Sequence, residues 1–349
     1  MIVSHTNSLA QLRRARGWSQ AVLANKSGVS RTGVSAIEMG RLVPSVAAAI
    51  RLAATLGESV EKIFGGAPET PAPQWVWEPR TSDTRCWRAA LHDKVLAYPV
   101  ELTAAGSIAH DSGPSGNDAG PSPDRTLVIA GCDPLVGLLV HEMAERHDIR
   151  VLPLLRSSGE ALDLLQRGLV HIAGLHWTDA SGRPTNDATV KKSVGPGYRL
   201  LHQMQWDSGV AVGNGRKEQS VSALLRANVR WVNREEGSAA RRALDFLLAS
   251  RPRPSGYRNV VRDHRSVATI VSSGWAEAGI CVKPAAAEAH VRFISLHKEA
   301  YELCVADDHF GDPRIDALVA TLQSNTYRSL IADIPGCVSR ETGTIRSVA

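Results

Sequence analysis

Residues 18–41 read WSQAVLANKSGVSRTGVSAIEMGR, and the organisation of the whole chain follows from this stretch. Ser19 is placed to cap a first helix that begins at Gln20, and Leu23 and Ala24 are spaced to face a core. Gly28 supplies the turn. Ser30 then caps a second helix whose apolar side is Val34 and Ile37, so the segment is a helix-turn-helix with its second helix suited to a DNA major groove.

Charge supports that reading. Residues 1–64 hold eight of the 40 Lys and Arg but three of the 35 Asp and Glu, which leaves 32 of each in the other 285 residues. All the net positive charge therefore sits on the helix-turn-helix segment, as expected of a module that meets phosphates. A chain of 349 residues suits two or three domains. The five cysteines are spread out with no C-x-x-C pair and no metal-ligand spacing with histidine, so reduced thiols and no bound metal or cofactor are expected. The N-terminus has no apolar core of a signal peptide, and no apolar run approaches the roughly 18 residues of a membrane span. A cytoplasmic protein with no membrane partner is the expectation.

From Leu9 to Phe64 the sequence resembles the phage-repressor (Cro-type) helix-turn-helix family. Leu12, Arg13, Arg16, Gly17 and Ser19-Gln20 match its opening half; Ile37-Glu38, Gly40-Arg41, Pro44-Ser45 and LGESVEKIF match its closing half. The resemblance implies that Gln20 meets a phosphate, that Arg31, Thr32 and Ser35 read bases or phosphates with Arg41 beside them, and that Arg13 and Glu38 form a structural ion pair. The bland alternative is a helical bundle that binds protein rather than duplex DNA.

After residue 65 the composition changes. GGAPETPAP and, further on, SGPSGNDAGPSPD (112–124) are Gly/Pro-rich linkers. Between them, Trp75 to Asp111 reads as a small β connector turning at His92-Asp93-Lys94, with Trp75, Trp77 and Trp87 as its core; linkers and connector together occupy 66–125. From Thr126 strands alternate with helices: TLVIAG, PLVGLLVHEMAERH, RVLPLLR, SGEALDLLQRG, VHIAGL, and again WVNRE, GSAARRALDFLLA, HRSVATIVSSG, AEAGICV. Such alternation implies a parallel α/β sheet, and two units of similar size imply two lobes with a cleft. The domain is expected over 126–340 with a tail at 341–349. The fold class is thus multidomain: an all-α helix-turn-helix domain, a small β connector and a two-lobed α/β domain.

GCDP (131–134), SSGEALDLLQRG (157–168), IAGLHW (172–177), VNREEGSAAR (232–241), GYRNVVRDHRSVATIVSSG (256–274) and AEAGI (276–280) resemble the type 2 periplasmic-binding-protein fold. The resemblance is greatest to molybdate-binding-like domains fused behind a helix-turn-helix in bacterial regulators. Ligands of such a fold sit where helix N-termini open on the crevice, which nominates Ser157, Ser158, Asn233, Arg234, Ser238 and Arg241, with Cys132, Asp133, His176 and His264 at neighbouring strand or helix ends. The motif's usual glycine and threonine are Ala239 and Ala240 here, which removes a hydroxyl, and the arginines favour a carboxylate or phosphate-bearing effector over a molybdate-like oxyanion. The serines have an alternative role as plain N-caps.

The expected function is a dimeric, ligand-responsive transcription regulator. A binding protein with no regulatory role is the first alternative. An enzyme using Cys132 beside Asp133 is the second, and it is disfavoured because no base is placed by sequence to activate the thiol.

Overall fold

Ser19 Oγ accepts from Val22 N–H at 3.2 Å and Ser30 Oγ from Gly33 N–H at 3.0 Å, so both helices of the motif start at side-chain caps. The computed structural model describes residues 8–64, 74–79, 85–101, 103, 106, 108–111, 122–179, 181–249 and 251–348. The chain divides into two units, Met1–Pro73 and Gln74–Ala349. The first linker, 65–73, lies outside the described residues, as do 112–121 of the second; Pro123–Arg125 form a 3-10 turn.

The first unit has α1 (Leu9–Ala15), α2 (Gln20–Ser27), α3 (Arg31–Glu38), α4 (Val46–Leu56) and α5 (Val60–Phe64). Gly28 ends α2 at φ +66°, a left-handed conformation that lets the chain turn directly into α3. Leu9, Leu23, Val34, Ile37, Leu52, Leu56 and Ile63 close one core.

The second unit opens with β1 (Gln74–Trp75), β2 (Cys86–Leu91) and β3 (Lys94–Pro99), a sheet of order β1-β3-β2 that turns at His92 and Asp93. Trp87, Leu91, Leu96 and Tyr98 share one core with Val128, Leu152 and Leu165, and Tyr98 Oη donates to the Leu169 carbonyl at 2.8 Å. The hairpin is therefore built onto the α/β framework. Trp87 is core and Trp77 packs against it, whereas Trp75 is 38% exposed.

The framework continues through β4 (Thr126–Gly131), α6 (Val136–His147), β5 (Arg150–Leu155), α7 (Ser158–Gln166), β6 (Ile172–Leu175), α8 (Asn186–Val194), β7 (Tyr198–Val212), α9 (Val221–Arg226), β8 (Trp231–Arg234), α10 (Ala239–Leu248), β9 (Val260–Val261), α11 (His264–Ser272), β10 (Ala278–Val282), α12 (Lys283–Glu288), β11 (Arg292–Ala306), α13 (Pro313–Gln323), α14 (Asn325–Ala332), β12 (Cys337–Val338) and β13 (Ile345–Ser347). Sheet order is β5-β4-β6-β11-β7-β10-β8-β9, with β12 and β13 on β7. One lobe holds the parallel strands β4, β5 and β6, the other β8, β9 and β10. The antiparallel pair β7 and β11, 15 residues each, runs through both. The stretch read as a tail is part of this sheet: Ile345–Ser347 pair with β7, and Thr342 Oγ1 donates to the Gln203 carbonyl at 2.9 Å.

His171 shows how the first lobe uses a buried polar group. Its Nδ1 accepts from Val128 N–H at 3.0 Å and its Nε2 lies 3.0 Å from the Ala90 carbonyl, which requires a neutral ring protonated at Nε2. Burial, with Arg314 and His309 nearby, holds its pKa down to about 3. The unfolded chain takes up a proton near pH 6.5 and the folded one does not, so this group costs stability as pH falls from about 6.5 towards 3, by about 3 kcal/mol at pH 4. Denaturation of the parent and His171→Gln at pH 7 and pH 4 should show the larger acid loss in the parent; equal losses would contradict the assignment.

Candidate functional site

In the first unit, Arg13 Nε and Nη2 donate to the two Glu38 carboxylate oxygens at 2.6 and 2.9 Å, and Arg13 Nη1 donates to the Trp18 carbonyl at 2.7 Å. Gln20 Nε2 donates to Glu38 Oε2 at 2.9 Å, so its amide is engaged in locking α2 to α3. Arg31, Thr32 and Arg41 are exposed and Ser35 is half-buried. These four share the solvent side of α3 and the loop after it, opposite the buried Val34 and Ile37. The arrangement presents an eight-residue helix whose solvent side carries Arg31, Thr32 and Ser35, with Arg41 in the loop after it.

The second site lies where both lobes meet β7 and β11. Cys132 follows β4, His176 follows β6 and His264 opens α11 in the other lobe. Cys132 Sγ lies 3.1 Å from His176 Nε2 and 3.9 Å from His264 Nε2. His176 Nδ1 lies 2.9 Å from Glu299 Oε2, which also accepts from Trp206 Nε1 at 3.2 Å. Glu299 Oε1 lies 3.1 Å from His297 Nε2. Cys132, His176, His264 and Glu299 are each no more than 2% exposed. The lobes touch here, since a Cβ on Gly159 at the start of α7 would come 3.7 Å from the Gly237 carbonyl before α10.

Buried charge sets the protonation states. Burial alone would push the Cys132 thiol up, but His176 and the Arg234 guanidinium outweigh it and hold the pKa below the ordinary thiol value. Burial opposes a charge on His176 too, yet Cys132 and Glu299 on its two sides raise it to about 10. Glu299, despite burial, is held well below the usual carboxylate range by His176 and His297. His264 is held neutral by burial and by the neighbouring charges of Arg234 and His176. The result is a thiol, an imidazole and a carboxylate in hydrogen-bonded series, with the His264 imidazole facing the sulfur from the opposite lobe. No histidine spacing in the sequence marked this grouping, because residues 132, 176, 264 and 299 converge only through the sheet.

Other nominated residues have different partners. Ser157 closes a capping box with Glu160, and Ser238 Oγ accepts from Arg241 N–H and donates to the Glu235 carbonyl. Asn233 is spent on the Tyr257 carbonyl and Arg234 N–H. Asp133 accepts from Leu135 N–H and Gln203, and burial raises it to about 6. Arg241 is paired with Asp245 and stacks on Tyr257, where it leaves no free charge for the cleft. Ser158 Oγ, Arg234 Nη1 and His264 Nδ1 are buried without hydrogen-bond partners.

Sequence reasoning missed Glu299, Trp206 and Tyr301. Tyr301 packs over Gly131 and Gly174, whose missing side chains leave room for its ring. The alternation His297, Glu299, Tyr301 would have put all three on one face had the strand legible in YELCVAD (301–307) been extended back to residue 297. A groove of about 510 Å³ opens beside them, between Trp177, Asp179 and Gly182 and the Ala239, Ala243 and Phe246 face of α10, with His297 at its end.

A family model described as a PBP superfamily domain matches residues 140–323, more than half of the chain. The chain belongs to the PBP superfamily. A helix-turn-helix model matches residues 9–63 ahead of the PBP-like domain. The uncharacterized protein YvgK of Bacillus subtilis (strain 168) is 30% identical over 258 residues, 71% of this chain and 82% of that protein. Solved structures similar to the PBP-like region include an ABC-type phosphate transport receptor from Vibrio cholerae at 14% identity, covering 60% of this chain and 97% of that chain with a TM-score of 0.41. PhnD1 from Prochlorococcus marinus with methylphosphonate is 12% identical, covering 62% and 93% with a TM-score of 0.44. No helix among the described residues is long and apolar enough to cross a membrane.

Proposed function

We propose that the protein is a ligand-responsive, DNA-binding transcription regulator, in which the PBP-like domain closes on a small anionic effector and the helix-turn-helix reads an operator. The observation that carries this reading is the pairing, in one chain, of an α3 surface exposing Arg31 and Thr32 with a two-lobed site that buries unpartnered polar atoms from both lobes: Ser158 Oγ from one, Arg234 Nη1 and His264 Nδ1 from the other. Unpartnered buried polar groups cost about 1–3 kcal/mol each, a cost that an effector bearing oxygen acceptors relieves. A phosphate-bearing, carboxylate or molybdate-like anion has the acceptors needed. The working form is a cytoplasmic homodimer on duplex DNA. Leu42, Val43, Val46 and Ile50, 48 to 77% exposed on the first unit, support a self-contact there.

Arg31→Ala tests the DNA half. It should weaken duplex binding by about 1–3 kcal/mol and relax sequence preference if the side chain meets a base. Unchanged binding, or equal binding by a chain lacking residues 1–64, would refute it.

The two serines test the effector half, because one is a cap and the other is not. Ser238→Ala should lose about 1 kcal/mol of stability and retain effector affinity. Ser158→Ala should keep its stability and bind the effector more weakly. Calorimetry with phosphate, sulfate, molybdate and small carboxylates, paired with thermal melts, separates these outcomes; the opposite pattern would move the site elsewhere.

A further inference from the structure

We propose that Cys132, His176 and His264 bind a thiophilic divalent transition-metal ion, Zn²⁺ first among them, across the closed cleft. Their ligand atoms all lie within 4.8 Å of one another, and all three residues are buried. A tetrahedral ion about 2.3 Å from a sulfur and about 2.0 Å from each imidazole nitrogen sets neighbouring ligand atoms roughly 3.3–3.6 Å apart. The 3.1 and 3.9 Å separations at Cys132 Sγ bracket that range, and the two imidazoles, within the 4.8 Å spread of the set, must draw together by up to ~1 Å to complete it. Thiolate and imidazole select zinc-like ions over magnesium or calcium.

Three further observations point to a ligand site. Glu299 holds His176 by its far nitrogen at 2.9 Å, the orientation in which a carboxylate backs a metal-bound histidine. Trp206 and His297 fix the carboxylate in turn, so the imidazole is held by a chain of groups outside the ligand set. His264 has no strong hydrogen bond: Nδ1 is unpartnered and Nε2 has only the sulfur at 3.9 Å. A buried imidazole in that position is otherwise costly.

The ion would join the lobes. Cys132 and His176 belong to one lobe and His264 to the other, so all three ligands meet only when the cleft is shut. Three protein ligands leave a fourth position for water or an effector anion, and Arg234, ion-paired with Glu235 at 3.0 Å, keeps its Nη1 without a protein partner as a donor for that anion. The inference deepens the regulator reading and rests on it only for the effect on DNA; ion binding itself rests on the cluster.

The test uses the full chain, reduced and stripped with a chelator, titrated with Zn²⁺ against a chromophoric competitor and with Co²⁺ by absorption. One ion per chain is expected, with a thiolate-to-cobalt charge-transfer band and no competition from a thousandfold excess of Mg²⁺. Cys132→Ser should abolish the band and weaken Zn²⁺ at least 100-fold, and Glu299→Gln should weaken it 10- to 100-fold while keeping the band. Cys337→Ser should change neither. Should Cys132→Ser fail to fold, X-ray absorption of the zinc-loaded parent must show one sulfur and two imidazoles. Absence of stoichiometric binding, or a zinc shell without sulfur, overturns the proposal. If zinc binds as described and operator affinity does not change, the site stands and its regulatory role falls; if zinc does not bind and effector-dependent DNA binding persists, the regulator stands without the metal.

Discussion

Glu38→Ala is expected to unfold the DNA-binding unit while the PBP-like domain stays folded. Glu38 accepts both Arg13 nitrogens and the Gln20 amide, and the Arg13 and Glu38 side chains are 10% and 5% exposed. The pair holds the Glu38 carboxyl below its ordinary value against the cost of burial, and raises Arg13. Removing the acid leaves a part-buried guanidinium with only the Trp18 carbonyl as acceptor, a loss of about 3 kcal/mol, the lower end for a buried pair. A helical unit of this size has only a few kcal/mol of stability to lose. Scanning calorimetry should show one of two transitions disappear, with duplex binding lost and effector binding retained. The double change with Arg13→Met should recover much of the stability. A Glu38→Ala protein with both transitions and parent-like DNA binding would show that the ion pair is dispensable.

The second large effect is expected from Gly174→Ala. A Cβ at this position falls on the Tyr301 ring and hydroxyl, and one at Gly131 meets the same hydroxyl. Tyr301 cannot move freely, because its ring packs 4.8 Å from Trp206 and lies 6.1 Å from His176. Overpacking of this kind costs about 1–3 kcal/mol or more. The strain would fall on the strand that carries Glu299, so effector affinity should fall together with stability. Tyr301→Phe in the same chain removes the nearest atom and should restore part of both. A stable Gly174→Ala protein with parent affinity would mean that the ring is not fixed where the structure puts it.

The contrast between these two sites explains what the sequence made legible. The helix-turn-helix is local: Ser19, Gly28 and Ser30 fix caps and turn within twelve residues, and even the Arg13–Glu38 pair spans only the motif itself. In the PBP-like domain the alternating strands and helices were legible because each buries one apolar face. β7 and the first half of β11 were not. β7 is buried almost throughout yet carries His202, Gln203, Gln205 and Asp207, so neither an alternating nor a continuous apolar pattern survives. Those polar groups are satisfied at long range, as Gln203 is by Asp133 and Tyr327, and Trp206 by Glu299. The candidate site was half visible for the same reason. Cys132, His176 and His264 stand at strand or helix ends, where ligands of α/β folds gather, whereas Glu299 lies in mid-strand among residues of ordinary polarity. Arg241 looked available in sequence because its i+4 partner Asp245 and its stacking partner Tyr257 are set by α10 and the loop after it.

The central claim is that effector binding and operator binding are coupled through one chain. The direct test is the affinity of the full protein for a duplex selected by it from random sequence, measured with and without a saturating concentration of the anion that most raises its melting temperature. An at least tenfold change is expected, about 1.4 kcal/mol of coupling, with the same factor appearing in the anion's affinity when DNA is present and, in Ser158→Ala, a higher anion concentration needed for the same change. A duplex affinity identical with and without bound anion, or a selection that yields no preferred sequence, would contradict it.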